Sequence, residues 1–272
     1  MQGKRVFRIA MGVEYDGSAF HGWQIQRGVR TVQQEIESAI SRVADHAVRV
    51  HCAGRTDSGV HAMEQVIHFD TRAVRKSRSW VLGSNVNLPA DVSVCWAKAV
   101  ADGFHARFSA TARHYRYLVL CRPVRSALQR KRAVWAHHQP LDLQAMQHAA
   151  RDLVGTHDFS SFRALGCQAK SPVREVYYCV LSPGEDLVEL RVGANGFLHH
   201  MVRNIVGVLL AIGRGDAPVS WVKELLEVCD RTLGGVTAPP HGLYFLRADY
   251  PSDFGLPQRH LASPTLESAP RP

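Results

Sequence analysis

Hydrophobic and polar positions alternate in several short stretches of the chain, and this period of two predicts half-buried β-strands. The clearest example has Phe7, Ile9, Met11, Val13 and Tyr15 on one face. Further strands are predicted at residues 48–52, 66–69, 92–96, 115–121, 176–180, 188–192 and 243–250. We therefore expect a sheet to which both halves of the chain contribute.

Apolar residues recur at helical spacing in four other segments. The first follows Thr31, a residue type favoured at a helix N-cap, with Gln34 in the capping-box position. The second follows Asp142, another N-cap type. The third is apolar nearly all round, which indicates a buried helix. The predicted helices span residues 32–43, 143–153, 197–212 and 221–229.

Each half of the chain has roughly the order strand, helix, strand, strand. This order predicts an α+β fold, with two similar halves sharing a mostly antiparallel sheet and flanking helices. We place the halves at residues 1–110 and 111–250, although no sequence identity between them is visible. Residues 251–272 hold five of the thirteen prolines, and we expect this tail to be disordered.

The composition is that of a folded protein without a membrane span. Hydrophobic residues make up 46% of the 272 residues, enough for a sizeable core. No apolar run reaches the roughly 20 residues that a bilayer-spanning helix needs, and no signal-peptide core precedes the first strand. The six cysteines are scattered without a Cys-x-x-Cys pair, so we expect reduced, buried thiols in a cytoplasmic protein.

Positive charge is concentrated in particular segments. The formal net charge is +9, and residues 103–132 contain eight Arg or Lys residues and no acid. A second acid-free stretch, residues 159–174, carries Arg163, Lys170 and Arg174. A solvated basic surface normally intersperses Asp and Glu, so this distribution favours a nucleic-acid partner.

A predicted strand ends at the sequence Gly-Arg-Thr-Asp-Ser-Gly, residues 54–59, which we call the aspartate loop. The glycines at both ends allow tight backbone turns that would hold Asp57 in a fixed orientation. Arg55 lies two positions away, close enough for each charge to influence the other. On composition alone, a surface turn with an Asx hydrogen bond remains the alternative.

Two other classes of active site share fragments of this region. Asp57-Ser58-Gly59 is the triplet of aspartic proteases, which need two such carboxylates, and the chain has one copy. His61 and Glu64 weakly resemble the His-x-Glu of zinc deaminases, but their spacing is wrong by one residue and the Pro-Cys-x-x-Cys motif is absent. A homodimer could supply the second protease carboxylate, but a charged Arg55 stands where that class has an apolar approach, so neither class is favoured.

Residues 52–62, Cys-Ala-Gly-Arg-Thr-Asp-Ser-Gly-Val-His-Ala, closely resemble the active-site motif of the tRNA pseudouridine synthase A family. Further segments resemble the family in the family's order, so that the resemblance runs from about residue 7 to Tyr250. One departure is Ser58, where alanine is commoner in the family. The other segments are residues 14–17, 22–24, 87–89, 104–110, 115–117, 158–163 and 199–207.

This resemblance implies a pseudouridine synthase fold with a central active-site cleft. It further implies isomerisation of uridine to pseudouridine in the tRNA anticodon stem-loop, at positions 38, 39 and 40. The N-terminal half would carry catalytic Asp57, and the C-terminal half would carry substrate-binding Tyr115 and Arg203. A homodimer whose two subunits both contact the tRNA is also implied. The alternative is a non-catalytic RNA-binding module of the same fold.

Pseudouridine formation breaks the N-glycosidic bond, turns the uracil over and rejoins it through carbon, so no atom enters or leaves. The reaction therefore requires no cofactor in principle. A carboxylate can act as nucleophile or base at a glycosidic centre, and the resemblance assigns this role to Asp57. Attack on the sugar, attack on the base and removal of a sugar proton all remain open.

Three further residues are candidates for the site. Arg203 lies in an apolar helix and needs a partner, which the resemblance makes Asp57, with a structural bridge as the alternative. Arg55 would contact the RNA backbone or remain a solvated loop residue. Tyr115 would stack on the flipped base or serve as a core aromatic.

The adjacent His199 and His200 raise the question of a metal site. Adjacent residues point to different faces of a helix, so we expect one of these rings in the core and the other exposed. On this basis no metal site is predicted.

Overall fold

One ten-stranded sheet runs through the computed structural model, which describes residues 6–136 and 141–257. Its strands are β1 (Phe7–Tyr15), β2 (His51–Cys52), β3 (His61–Thr71), β4 (Val92–Val100), β5 (Ala112–Leu120), β6 (Val134–Trp135), β7 (Gly155–Asp158), β8 (Val173–Pro183), β9 (Leu187–Ala194) and β10 (Leu243–Asp249). The helices within these residues are α1 (Val32–Ala44), α2 (Ser77–Asn87), α3 (Leu143–Arg151), α4 (Met201–Gly213) and α5 (Trp221–Val228).

The strand order is β4-β1-β3-β10-β5-β9-β8-β7, with β2 beside β3 and β6 beside β5. All neighbours are antiparallel except the pairs β3/β10 and β5/β6. Each half is centred on its first long strand, because β1 lies between β3 and β4, and β5 lies between β9 and β10. The predicted α+β fold on a mostly antiparallel sheet is thus confirmed.

The halves meet at a short parallel junction, where Tyr244 pairs with His61 and Phe245 with Ala62. The Tyr244 ring stacks on His61 with centroids 4.5 Å apart, and Phe245 is fully buried. This junction matters for the site because β3 begins directly after the aspartate loop.

Helix α1 begins where the sequence predicts, but the capping box is not formed. Thr31 is the N-cap without a side-chain hydrogen bond, and its buried Oγ1 has no partner among the described residues. The amides of Val32 and Gln33 instead donate to the carbonyls of Gly22 and Trp23, at 3.2 and 3.0 Å. The loop before α1 therefore replaces the side-chain cap and is fixed to the helix in return.

Two elements differ from the predicted pattern. The strand predicted at 48–52 shortens to β2 because α1 side chains take the preceding amides: Val48 donates to Ser41 Oγ at 2.9 Å and Val50 to Glu37 Oε1 at 3.0 Å. Helix α2 has no counterpart in the predicted elements. It buries only Trp80 and Ser84, so its sequence lacks the apolar stripe from which a helix is predicted.

The start of the predicted tail is ordered. Ser252–Phe254 form a 3-10 turn, and the Phe254 ring packs edge-on against Phe104, with centroids 5.1 Å apart. Residues 258–272 lie outside the described residues, and the expectation of disorder there stays a prediction.

The six cysteines are free thiols, but they are not uniformly buried. Cys179 is buried, whereas Cys95 and Cys229 are exposed. The expectation of buried thiols is therefore wrong for these two. Among the residues described, no helix combines the length and the apolar character that a membrane crossing requires.

His68 on β3 is a buried histidine that must stay neutral. It is 3% exposed, and its Nδ1 accepts a hydrogen bond from the Ala106 amide at 3.1 Å. Burial lowers the pKa of His68 to about 3, and the neighbouring His105, His51 and Arg8 act in the same direction. In the unfolded chain, by contrast, an imidazole titrates near its ordinary pKa of about 6.5.

We predict that this histidine makes the fold acid-sensitive. Below about pH 6.5 the unfolded chain binds one more proton at His68 than the folded protein does, so the free energy of unfolding falls by about 1.4 kcal/mol per pH unit down to about pH 3. His68→Asn, which retains a side-chain acceptor, should remove that contribution. The exposed His21→Asn is the control. Urea unfolding across this range measures the slope, and an unchanged slope in His68→Asn would contradict the prediction.

Candidate active site

The aspartate loop joins β2 to β3 and is held by hydrogen bonds along its length. The Gln65 side chain donates to the Gly54 carbonyl at 2.6 Å and accepts from the Gly54 amide at 3.2 Å. The Thr56 carbonyl accepts from the Trp23 amide at 2.9 Å, and the Thr56 hydroxyl lies 2.8 Å from the Tyr15 hydroxyl. The residues that precede Asp57 in the loop are therefore fixed independently of it.

Two glycines allow this close packing. Gly22 has φ +86°, and a Cβ there would lie 2.8 Å from the Thr56 carbonyl oxygen. Gly59 has φ +79°, and its amide donates to the Phe20 carbonyl at 3.3 Å. A side chain at Gly22 would collide with the aspartate loop as well as strain the backbone, so glycine is required there.

Asp57 and Arg203 form an ion pair. Arg203 Nη1 donates to Asp57 Oδ2 at 3.0 Å, and Arg203 Nε donates to the Ala238 carbonyl at 2.8 Å. The Arg203 side chain is 14% exposed and the Asp57 side chain 25%. The structure thus brings together the two residues that the resemblance pairs, with Arg203 entering from the first turn of α4.

His199 and His200 both turn towards Asp57. Their Nε2 atoms lie 3.5 Å from Oδ1 and 3.3 Å from Oδ2 respectively. The expectation that they point to different helix faces, with one in the core, is wrong, because α4 begins only at Met201 and both histidines precede it. One ring, that of His199, is exposed as expected. Burial lowers the pKa of His200. The charge of Asp57 raises this pKa, whereas His199, Arg203 and Arg231 lower it further.

Among the residues that the structure describes, the group that could hold a metal ion consists of Asp57 and the two histidines. Asp57, His199 and His200 place one ligand atom each within 4.8 Å of the others. The Arg203 guanidinium, however, already occupies Asp57 Oδ2. A divalent cation at this position would be repelled by that guanidinium, so the geometry favours the ion pair.

Asp57 faces a cavity of about 1130 Å³ with a strongly positive lining. Among the described residues it is the single carboxylate in the lining. Arg55, which lies in the aspartate loop, is exposed at the cavity wall. The arginines that line the cavity are Arg49, Arg55, Arg107, Arg113, Arg174 and Arg203. Such a lining suits a polyanion.

Tyr115 lines the cavity from β5 and is 9% exposed. The rings of Phe197 and Phe245 pack edge-on against it, with centroids 5.0 and 5.2 Å away. Its hydroxyl lies against Gly54, where an added Cβ would be 3.5 Å away. Burial raises the pKa of Tyr115 above its ordinary value, so the phenol stays neutral.

Arg113 is a cavity residue that the sequence did not single out. Its Nη1 donates to the carbonyls of Ala110 and Asn195 at 3.0 and 3.1 Å, and its Nη2 donates to those of Ala53 and Arg107. Burial lowers its pKa, although arginine remains charged. This one side chain therefore links both halves of the chain around the cavity. A charged residue on the strand face that carries Tyr115 was the available signal.

The family of this chain follows from comparison with known proteins. The model of the family described as tRNA pseudouridine synthase matches residues 11–109 and 149–251. The chain belongs to this family.

Curated relatives agree over nearly the whole length. The chain is 53% identical to the tRNA pseudouridine synthase A of Pseudomonas aeruginosa, over 97% of this chain and 93% of that protein. It is 56% identical to the protein of the same name from Methylococcus capsulatus, over 92% of both. A solved archaeal box H/ACA sRNP Nop10–Cbf5 complex contains a chain with 13% identity and a TM-score of 0.33, over 74% of this chain and 44% of that one.

We predict that Asp57 and Arg203 are energetically coupled. Arg203→Met removes the charge but retains much of the apolar stem, and should lower the free energy of unfolding by about 2 kcal/mol, less than for a fully buried pair because Asp57 is partly exposed. The double change with Asp57→Asn should recover part of that loss. Urea unfolding of the four proteins in this cycle measures the coupling.

The control is Arg214→Met combined with Asp57→Asn. Arg214 follows the same helix but pairs with Asp216, so these two losses should add. Simple additivity in the Arg203 cycle as well would mean that the ion pair contributes no coupling.

Proposed function

We propose that this chain isomerises uridine to pseudouridine in the anticodon stem-loop of tRNA, at positions 38, 39 and 40, with Asp57 as the catalytic carboxylate. The observation that carries the proposal is the position of Asp57. It is the carboxylate of an arginine-lined cavity and is held by Arg203 at 3.0 Å. Family membership supports the reaction, and the resemblance of the sequence supports the substrate positions.

The geometry suits a reaction at a glycosidic centre. The carboxylate faces the cavity and can approach the sugar or the base of a bound nucleotide. Arg203 fixes its orientation, and the loop contacts prevent it from turning away. Orientation of this kind contributes to catalysis because it removes freedom that a dissolved carboxylate would have. No metal or cofactor is part of the proposal.

The target base must leave its stack before it can reach Asp57, which costs a few kcal/mol. Arg55 is exposed in the aspartate loop and has no ion-pair partner among the described residues, so it is free to contact the RNA backbone. Tyr115 forms an aromatic wall beside Asp57, against which the flipped base would pack.

The wider setting of the reaction follows from the same resemblance. We place the catalytic loop in an N-terminal half, residues 1–110, and Tyr115 and Arg203 in a C-terminal half, residues 111–250, with the cleft between them. The active unit is a homodimer whose two subunits both contact the tRNA. The cytoplasm is the compartment that suits its free thiols.

We predict that Asp57→Asn abolishes pseudouridine formation and leaves tRNA affinity within a few fold, because it removes a charge but little volume. Transcript tRNA treated with a carbodiimide reports pseudouridine by position, and EDTA in the assay excludes a stray metal. Residual turnover above about a thousandth of the parent rate, a barrier change of only about 4 kcal/mol, would refute the assignment of Asp57. A parent protein that binds tRNA without turnover would indicate the non-catalytic alternative.

We predict that exposed cations between β5 and β6 bind the RNA phosphates. Arg125, Arg130, Lys131 and Arg132 are all exposed. Neutralising all four should flatten the dependence of log Kd on log salt concentration by about 3 to 4 units, since each lost phosphate contact changes this slope by about 0.7 to 0.9.

The matched comparison removes four exposed cations elsewhere, at Arg72, Arg75, Lys76 and Arg78. Fluorescence anisotropy over a range of salt concentrations compares the two variants. A larger effect from this second set would place the RNA beside α2 instead.

A further inference from the structure

His200 has a backbone conformation that its residue type disfavours. Its φ and ψ are 61° and 2°, in the left-handed region. Outside glycine, this region is unfavourable, and residues held there cluster at functional sites. Three other described non-glycine residues have positive φ, and two of these, Asp45 and Cys229, simply end helices as C-caps. His200 instead stands at the N-terminus of a helix and beside Asp57.

The left-handed conformation changes where two consecutive rings can point. Along a strand, neighbouring side chains alternate between faces, and along a helix they lie about 100° apart. Neither geometry brings both His199 and His200 to one carboxylate. Here their ring centroids are 4.0 Å apart and both reach Asp57, from opposite oxygens.

His200 is also placed to complement Arg203. Both approach Asp57 Oδ2, with His200 Nε2 at 3.3 Å and Arg203 Nη1 at 3.0 Å. His199 Nε2 lies 3.5 Å from the other oxygen, Oδ1, and its side chain is 51% exposed. The carboxylate is therefore contacted at both oxygens by groups from the β9–α4 connection and the first turn of α4.

We infer that His200 is a positioning residue, whose imidazole orients the Asp57 carboxylate towards the bound nucleotide, and that its strained backbone is maintained for this purpose. The inference rests on the proposed catalytic role of Asp57. The ionisable groups around His200 are Asp57, His199, Arg203 and Arg231. A neutral ring 3.3 Å from Oδ2 restricts the carboxylate without adding a second full charge beside Arg203.

Two substitutions separate the ring from the backbone. His200→Gly removes the ring and permits the left-handed conformation, so a purely structural role predicts equal or greater stability and unchanged activity. His200→Asn also tolerates this conformation and retains a short side-chain donor. We expect His200→Gly to keep its thermal midpoint and tRNA Kd but to lose about a hundredfold in single-turnover rate. His200→Asn should recover part of that rate.

Asp45→Gly is the matched control. Asp45 is exposed, has φ 58° and ends α1, so the substitution relieves the same kind of strain away from the cavity. It should leave the single-turnover rate unchanged. A His200→Gly rate within about threefold of the parent would overturn the inference, and so would a rate loss matched by a lower thermal midpoint in both His200 variants.

Failure of the positioning role of His200 can be distinguished from failure of the proposed function. If Asp57→Asn is inactive and His200→Gly is fully active, only the positioning role is lost. If Asp57→Asn retains turnover, the proposed function fails at Asp57, and the positioning role fails with it.

Discussion

The ion pair between Asp57 and Arg203 joins segments that are 146 residues apart in the sequence. Removing both charges from water is costly, and their attraction offsets that cost only where the remaining donors are satisfied and the geometry is fixed. Arg203 meets this requirement through Ala238, and Asp57 through a loop fixed on both sides. The aspartate loop, Ala238 and the start of α4 must therefore all be in place together.

Arginines with a structural role and arginines that line the cavity differ in the groups they contact. Arg8 is paired with Asp70 and Arg30 with Asp91, each through two nitrogen–oxygen contacts. In the cavity Arg203 alone has a carboxylate, among the described residues, whereas Arg113 bonds to backbone carbonyls. Carbonyls fix a guanidinium without cancelling its charge. The cavity thus keeps a positive potential that acidic partners would have removed.

Strands such as β1 and β5 could be predicted from the sequence because their large apolar residues recur at every second position. The expected half-burial of β1 is wrong, however, because Ile9 to Val13 are buried on both faces. The aspartate loop and Arg203 could be identified because a motif and a charge in an apolar helix are local signals. Helix α2 could not, since Trp80 and Ser84 alone are buried. The sequence does not reveal that both histidines face Asp57, because the start of α4 depends on the backbone of His200, and the apolar pattern continues through that residue. The sequence places Arg113 on the strand face that carries Tyr115, but its contacts join segments distant in sequence, and no local pattern reports such contacts.

The parallel β3–β10 junction is one of three pairings in the described sheet that consist of only two residue pairs. Side chains must therefore fix its register. Arg116 lies 4.5 Å above the Tyr244 ring, and His61 Nε2 donates to the Lys131 carbonyl at 2.8 Å. Lys131 belongs to the exposed basic segment between β5 and β6. Its carbonyl therefore fixes His61, the first residue of the strand that follows the aspartate loop, so that the segment proposed to contact RNA is joined to the aspartate loop through β3.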